Sequence, residues 1–152
     1  MNMELLVTQT NIAGVTMELA EYIKENHPNM ILREGREAVE KFCLDRTDKI
    51  VESFCLHMAQ GISEIGAWEL AHKELYAGLI FSRYNVVKDL LQTLNRFEYE
   101  KRHNNGILIQ TVSDIVEKAE IIFEAFQVTD ETFVSNEMEQ RLAPIILKHL
   151  AE

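Results

Sequence analysis

Proline is nearly absent from this chain, with only Pro28 and Pro144 among 152 residues, and glycine is scarce at six. With so few breakers there is no Pro/Gly/Ser-rich linker, and neither a repeat nor a low-complexity segment divides the sequence. Residues 1–152 therefore read as a single domain, long enough to bury roughly two thirds of its unfolded surface. Long apolar runs are missing as well. No segment approaches the roughly 18 uncharged apolar residues that span a bilayer, and the N-terminal MNMELLVTQTN has neither a basic region nor a signal-like apolar core. A cytoplasmic protein with no membrane partner is the expectation. Cysteine is limited to Cys43 and Cys55 on one predicted helix, where twelve residues at about 1.5 Å each hold them about 18 Å apart. That is beyond the span of a disulfide, so both should be reduced thiols acting as small buried hydrophobes. Chemical signatures are lacking too: there is no Gly-rich loop after a strand, no G-x-S-x-G and no H-E-x-x-H.

What the chain does have is helical periodicity, and the stretch Gly61–Leu91 shows it best. Ser63 can cap a helix whose Ala67, Leu70, Ala71, Leu75 and Leu79 recur at three- and four-residue steps. Gly78 supplies a stop suited to a left-handed backbone, and Ser82 offers a hydroxyl to the free amides of the next helix, which presents Tyr84, Val87, Leu90, Leu91, Leu94 and Phe97. So short a joint forces the two helices to fold back or cross steeply, sharing a core. Upstream, Asn11–Asn26 presents Ile12, Val15, Leu19, Tyr22 and Ile23 until Pro28 pushes His27 out of the helical region. After an irregular Met30–Gly35, a helix of about Glu37–Gln60 presents Val39, Phe42, Cys43, Ile50, Phe54 and Met58 and stops at Gly61. A fifth helix follows the HNNG turn, from about Ile107 to Phe126, with Leu108, Val112, Ile115, Ala119, Ile122, Phe123 and Phe126 inward. Ser135 or Asn136 caps a last helix that Pro144 should kink or restart. The expectation is an all-α, bundle-like domain of about six helices with no sheet and one dry interior.

Three pieces carry a resemblance: LAEYIKENHP at Leu19–Pro28, GAWELA at Gly66–Ala71 and, most specifically, GLIFSRY at Gly78–Tyr84. In these the chain resembles a small domain-of-unknown-function family associated with conjugative transposons of gut and oral anaerobes. The likeness covers roughly the N-terminal two thirds; from Asn95 onward it rests on helix pattern and a late FVSNEMEQ segment. It implies a compact all-helical fold and brings no reaction, cofactor or catalytic residue with it. The family's pattern places methionine where His72 stands, which implies a surface or rim position for that side chain.

Charge narrows the function classes. Residues 1–60 hold 6 basic and 10 acidic side chains, residues 61–105 hold 6 and 6, and residues 106–152 hold 3 and 9, for a net charge of -10. With Lys101-Arg102-His103 as its densest basic patch, the chain is a poor candidate for direct nucleic-acid binding. Glu69 and His72 form an E-x-x-H step able to share a metal on one helix face. A helical di-metal site needs two such steps and two further glutamates, and only one step is present, so no metal or other cofactor is expected. His57 and Glu52 are no stronger as ligands. His27 suits a turn-capping or packing role, while His103 and His149 fall near helix ends that favour a cation. Glu117 with Glu120, and Asp130 with Glu131, read as helix-surface and turn residues rather than as a glycosidase pair.

A binding role is left, with Trp68, Phe81, Arg83 and Tyr84 as candidate partner-binding residues, since aromatics and arginine anchor interfaces. The apolar stripe of 106–126, with Pro144-Ile145-Ile146-Leu147, is a candidate homodimer surface if the fold leaves it uncovered. The sequence thus reads as a non-enzymatic accessory protein of a mobile element that acts through an as yet unknown protein partner. Two alternatives stand behind it: an acidic DNA mimic or anti-restriction factor, and a small metal-binding enzyme built on Glu69 and His72.

Overall fold

A computed structural model describes the backbone of residues 3–152 and the side chains of residues 12–152. The start of MNMELLVTQTN, and all the side chains on which the signal-peptide reading rests, lie outside the described residues. Among the described residues the chain is all-α, with nine helices and no strand: α1 (Met3–Asn26), α2 (Pro28–Glu34), α3 (Arg36–Ala59), α4 (Glu64–His72), α5 (Arg83–Leu94), α6 (Arg96–Asn104), α7 (Leu108–Lys118), α8 (Glu120–Ala125) and α9 (Asn136–Leu150).

The count exceeds six for local reasons. Pro28 does end α1, but it then serves as the first residue of α2, where its missing N–H is no loss; the expected irregular stretch at Met30–Gly35 is therefore mostly helix. Asn95, at φ -152° and ψ 80°, interrupts the helix after Leu94, and its side chain accepts a hydrogen bond from the Glu98 amide to start α6. The chain turns there, which leaves Phe97 73 % exposed instead of inward. Ala119 divides α7 from α8 at φ -92° and ψ 2° while staying fully buried itself. Pro144 lies inside α9, which neither stops nor restarts there. Its flank is exposed, so water can reach the carbonyl that its missing amide would have engaged.

The helix after Ser63 ends at His72, earlier than its apolar repeat suggests, and Leu70 is exposed. From there to Leu79 the backbone advances in three-residue turns, with Glu74 N–H to Ala71 O, Leu75 N–H to His72 O, Ala77 N–H to Glu74 O and Leu79 N–H to Tyr76 O. The Arg46 guanidinium of α3 reaches across to donate to Leu75 O (2.9 Å) and Ala77 O (3.0 Å), satisfying carbonyls that an α-helix would have kept for itself. Gly78 closes the series at φ +79°; a Cβ there would meet nothing within 4 Å, so glycine is favoured by backbone conformation and not by space.

Buried apolar side chains form two clusters instead of the single interior expected. The N-terminal one joins Leu19 and Ile23 of α1, Ile50 and Phe54 of α3, Ala67 and Ala71 of α4, and Leu75. The C-terminal one joins Tyr84 and Leu91 of α5, Val112 and Ile115 of α7, Phe123 of α8, and Leu142 and Ile146 of α9. The stripe considered for self-association is consumed by this second core, since Leu108, Val112, Ile115, Ala119 and Phe123 are all buried in it. The short helix α2 packs against α1 and α3 on one side and α7 on the other, and so spans the two lobes. Cys43 and Cys55 do share α3 and are free thiols, but only Cys43 is buried.

Candidate functional site

The seam between the lobes is polar. It centres on the Leu79 carbonyl, where the Tyr22 hydroxyl donates at 3.1 Å and His27 Nε2 approaches to 2.6 Å. An acceptor at that distance places the imidazole proton on Nε2. Burial pushes the His27 pKa down, outweighing the Leu79 bond and the nearby Asp130 charge, so the ring is neutral at pH 7. Next along, the Ser82 hydroxyl donates to Asn26 O and accepts from the Asn85 amide, capping α5 as its sequence position predicts. Asn85 Nδ2 donates to Asn26 Oδ1 at 2.8 Å. Across the joint, both oxygens of Asp130 accept backbone amides, from Gly78 at 2.6 Å and Ile80 at 3.0 Å. A turn residue of the C-terminal half thereby clamps the end of the N-terminal half.

Beside this seam opens a cleft of about 720 Å³. One wall is His27 with Asn29, Met30 and Arg33 of α2; the floor is Gly78, Leu79, Phe81 and Arg83; the other wall is Ser113, Asp114, Val116 and Glu117 of α7 with Glu120 and Glu124 of α8. Its size suits a drug-sized ligand or a peptide side chain. Two of the predicted partner-binding residues meet here. Phe81 packs edge-on to Phe123 with centroids 6.2 Å apart, and the Arg83 guanidinium lies 5.3 Å above the same ring. The other two sit elsewhere. Tyr84 is 4 % exposed inside the C-terminal core, where burial pushes its phenol up to about 12. Trp68 is half-buried on the N-terminal cluster, edge-on to Phe54 at 5.4 Å.

The E-x-x-H pair is not brought together as a site. His72 Nε2 lies 2.8 Å from Glu18 Oε2 of α1, and the Tyr76 hydroxyl donates to the same oxygen, while Glu69 is exposed. Burial, reinforced by the Glu18 carboxylate, pushes the Tyr76 phenol well up. Among the described residues no group of three or more His, Cys, Asp or Glu side chains is placed to hold a metal ion. His103 and His149 occupy the last turns of α6 and α9, as their positions suggested.

Residue type alone does not point to Ser113, Asn29 or Asp130. Ser113 is 6 % exposed, and its Oγ, like Asn29 Oδ1, is buried with no hydrogen-bond partner among the described residues. Of the acids on the α7–α8 wall, Glu117 and Glu120 read from the sequence as plain helix surface; Asp114 and Glu124 join them only in the fold.

Fold and site together define a two-lobed, all-helical protein with a polar cleft between its lobes, and no helix of the described residues is long and apolar enough to cross a membrane. The chain belongs to the family described as a domain of unknown function (DUF1896), whose profile matches residues 8–150. It is similar in fold to the crystal structure of protein PG0816 from Porphyromonas gingivalis, with a TM-score of 0.72 and 22 % identity over 95 % of this chain and 94 % of that one. No curated protein matches it.

Proposed function

We propose that this is a non-enzymatic accessory protein that acts by contacting another protein, and that the contact is made at the interlobe cleft. The observation that carries the reading is the meeting of Phe81 and Arg83 on the cleft floor: an aromatic and an arginine side by side in a concave site are the usual makings of an interface anchor. Arg83 makes no ion pair or hydrogen bond among the described residues, so its five donors remain available to a partner's carbonyls or carboxylates. A second copy of this chain is a weaker occupant than a different protein, because the stripe that might have paired two copies is spent on the core. The mobile-element setting and the cytoplasmic location belong to the same proposal; the first rests on the likeness of GLIFSRY and its companion segments to the transposon-associated family, the second on two free thiols, which suit a reducing compartment.

Affinity capture from the native host tests this. The wild-type protein should retain a specific protein that is lost with Arg83→Ala and kept with Trp68→Phe, both variants showing unchanged helical circular dichroism. Equal retention by all three would remove the cleft from the reading, and recovery of nothing specific would sink the protein-contact role itself.

A further inference from the structure

We infer that the cleft receives a basic segment of the partner protein, one that places an arginine or lysine side chain against Ser113, Asn29 and the carboxylates of the α7–α8 wall. The inference rests on the protein-contact reading and names the chemistry of the partner.

It follows from an inventory of what the cleft leaves unmet. Asn29 Oδ1 is an acceptor only, and it is buried without a donor. Ser113 Oγ, on the facing helix, is equally bare; a serine inside a helix usually returns its hydroxyl to the carbonyl one turn back, and this one does not. Leaving such atoms buried and unpaired is costly, so a group that hydrogen-bonds to them is favoured there. Along the same wall Glu117, Glu120 and Glu124 have no ion-pair or hydrogen-bond partner among the described residues, and Asp114 accepts only from Gln110. Asp114 and Glu117 of α7 and Glu120 and Glu124 of α8 all line this wall, an acidic ridge that runs across the break at Ala119. Asn29 Oδ1 and the carboxylates call for donors, the Ser113 hydroxyl can accept from one as well, and the unbalanced charge is negative.

The opposite wall and the floor cancel only part of it: His27 is neutral, Arg33 is already paired with Glu34 at 2.9 Å, and Arg83, over the Phe123 ring, sets one positive charge against four acids. Met30, Leu79 and Val116 add apolar surface beside the acids, which suits the methylene stem of a lysine or arginine whose charged head reaches the ridge. A peptide also carries backbone carbonyls, which the Arg83 donors can meet; a bare cation has none.

The probe is a fluorescein-labelled dodecapeptide of arginine, leucine and alanine, followed by anisotropy and calorimetry against its glutamate-for-arginine counterpart. Binding should be one-to-one and at least tenfold tighter than for the acidic peptide. Glu117→Gln with Glu120→Gln should weaken it about tenfold, and Ser113→Ala about threefold. Glu40→Gln with Glu52→Gln, which changes net charge equally on exposed positions of α3, should leave it within about twofold. Equal weakening by the α3 pair would mean unspecific attraction to an acidic protein and would overturn the inference. So would displacement by an equimolar amount of spermine, which would assign the site to a free polyamine. If the peptide shows no preference while the host partner is still captured through Arg83, the basic-segment inference fails and the protein-contact reading survives.

Discussion

Asp130 should couple the two halves of the molecule. Its carboxylate takes two backbone amides, Gly78 at 2.6 Å and Ile80 at 3.0 Å, from the turn that ends the N-terminal half. A hydrogen bond to a charged group contributes about 1.5–3 kcal/mol when water is excluded. These amides are on exposed turns where water can replace the acceptor, so about 1–2 kcal/mol is the expected loss for both bonds together in Asp130→Ala, and about half of that in Asp130→Asn, which keeps one oxygen. For a chain of this length, each kcal/mol corresponds to about 2–4 °C in Tm. Urea unfolding read by two probes makes the test specific. Trp68, the single tryptophan, packs on the N-terminal cluster and reports that half, while far-ultraviolet circular dichroism reports all the helices. In the wild type the two curves should coincide, as expected of a cooperative transition; in Asp130→Ala the midpoint should fall and the curves separate. An alanine variant within about 0.3 kcal/mol of wild type, with coincident curves, would refute the clamp.

Two further outcomes follow from burial. His27 has a folded pKa below its ordinary 6.5, so the unfolded chain takes up the proton first as pH falls. Its contribution is complete above about pH 6.5 and is lost below it, at up to about 1.4 kcal/mol per pH unit; the wild type should lose stability between pH 7 and 5 more steeply than His27→Gln, and parallel profiles would contradict the assignment. Of the two thiols, exposed Cys55 should react promptly with a chromogenic disulfide reagent, while Cys43, buried and with its pKa pushed up by that burial, should wait for denaturant. Two equally fast thiols would show that α3 does not pack as described.

Much of the architecture was legible because helix ends are written in single residues. Ser63, Ser82 and Ser135 each accept the amide that their cap positions demand, and Gly78 takes the positive φ that a stop requires. The misses have physical causes of longer range. Lys73–Ala77 carries a good helical pattern, yet the Glu74, Leu75 and Ala77 carbonyls are engaged by Arg46, 28 or more residues away in sequence, which periodicity does not register. Ala119 breaks a helix with no glycine or proline to announce it. An apolar face also does not say which core it joins, and that is why two clusters were read as one. At the site, Phe81 and Arg83 could be singled out from residue type, whereas Ser113 and Asn29 come to line one cleft only because α2 lies on α7.

The seam around the Leu79 carbonyl has a consequence of its own. Apolar burial is non-directional, whereas donors and acceptors weaken quickly when misaligned. The aperture of the groove is therefore metered by a few atoms of Tyr22, His27, Ser82 and Asp130, and its durability by the two cores on either side. Gape and robustness thus rest on different residues, so a substitution in one set can leave the other undisturbed.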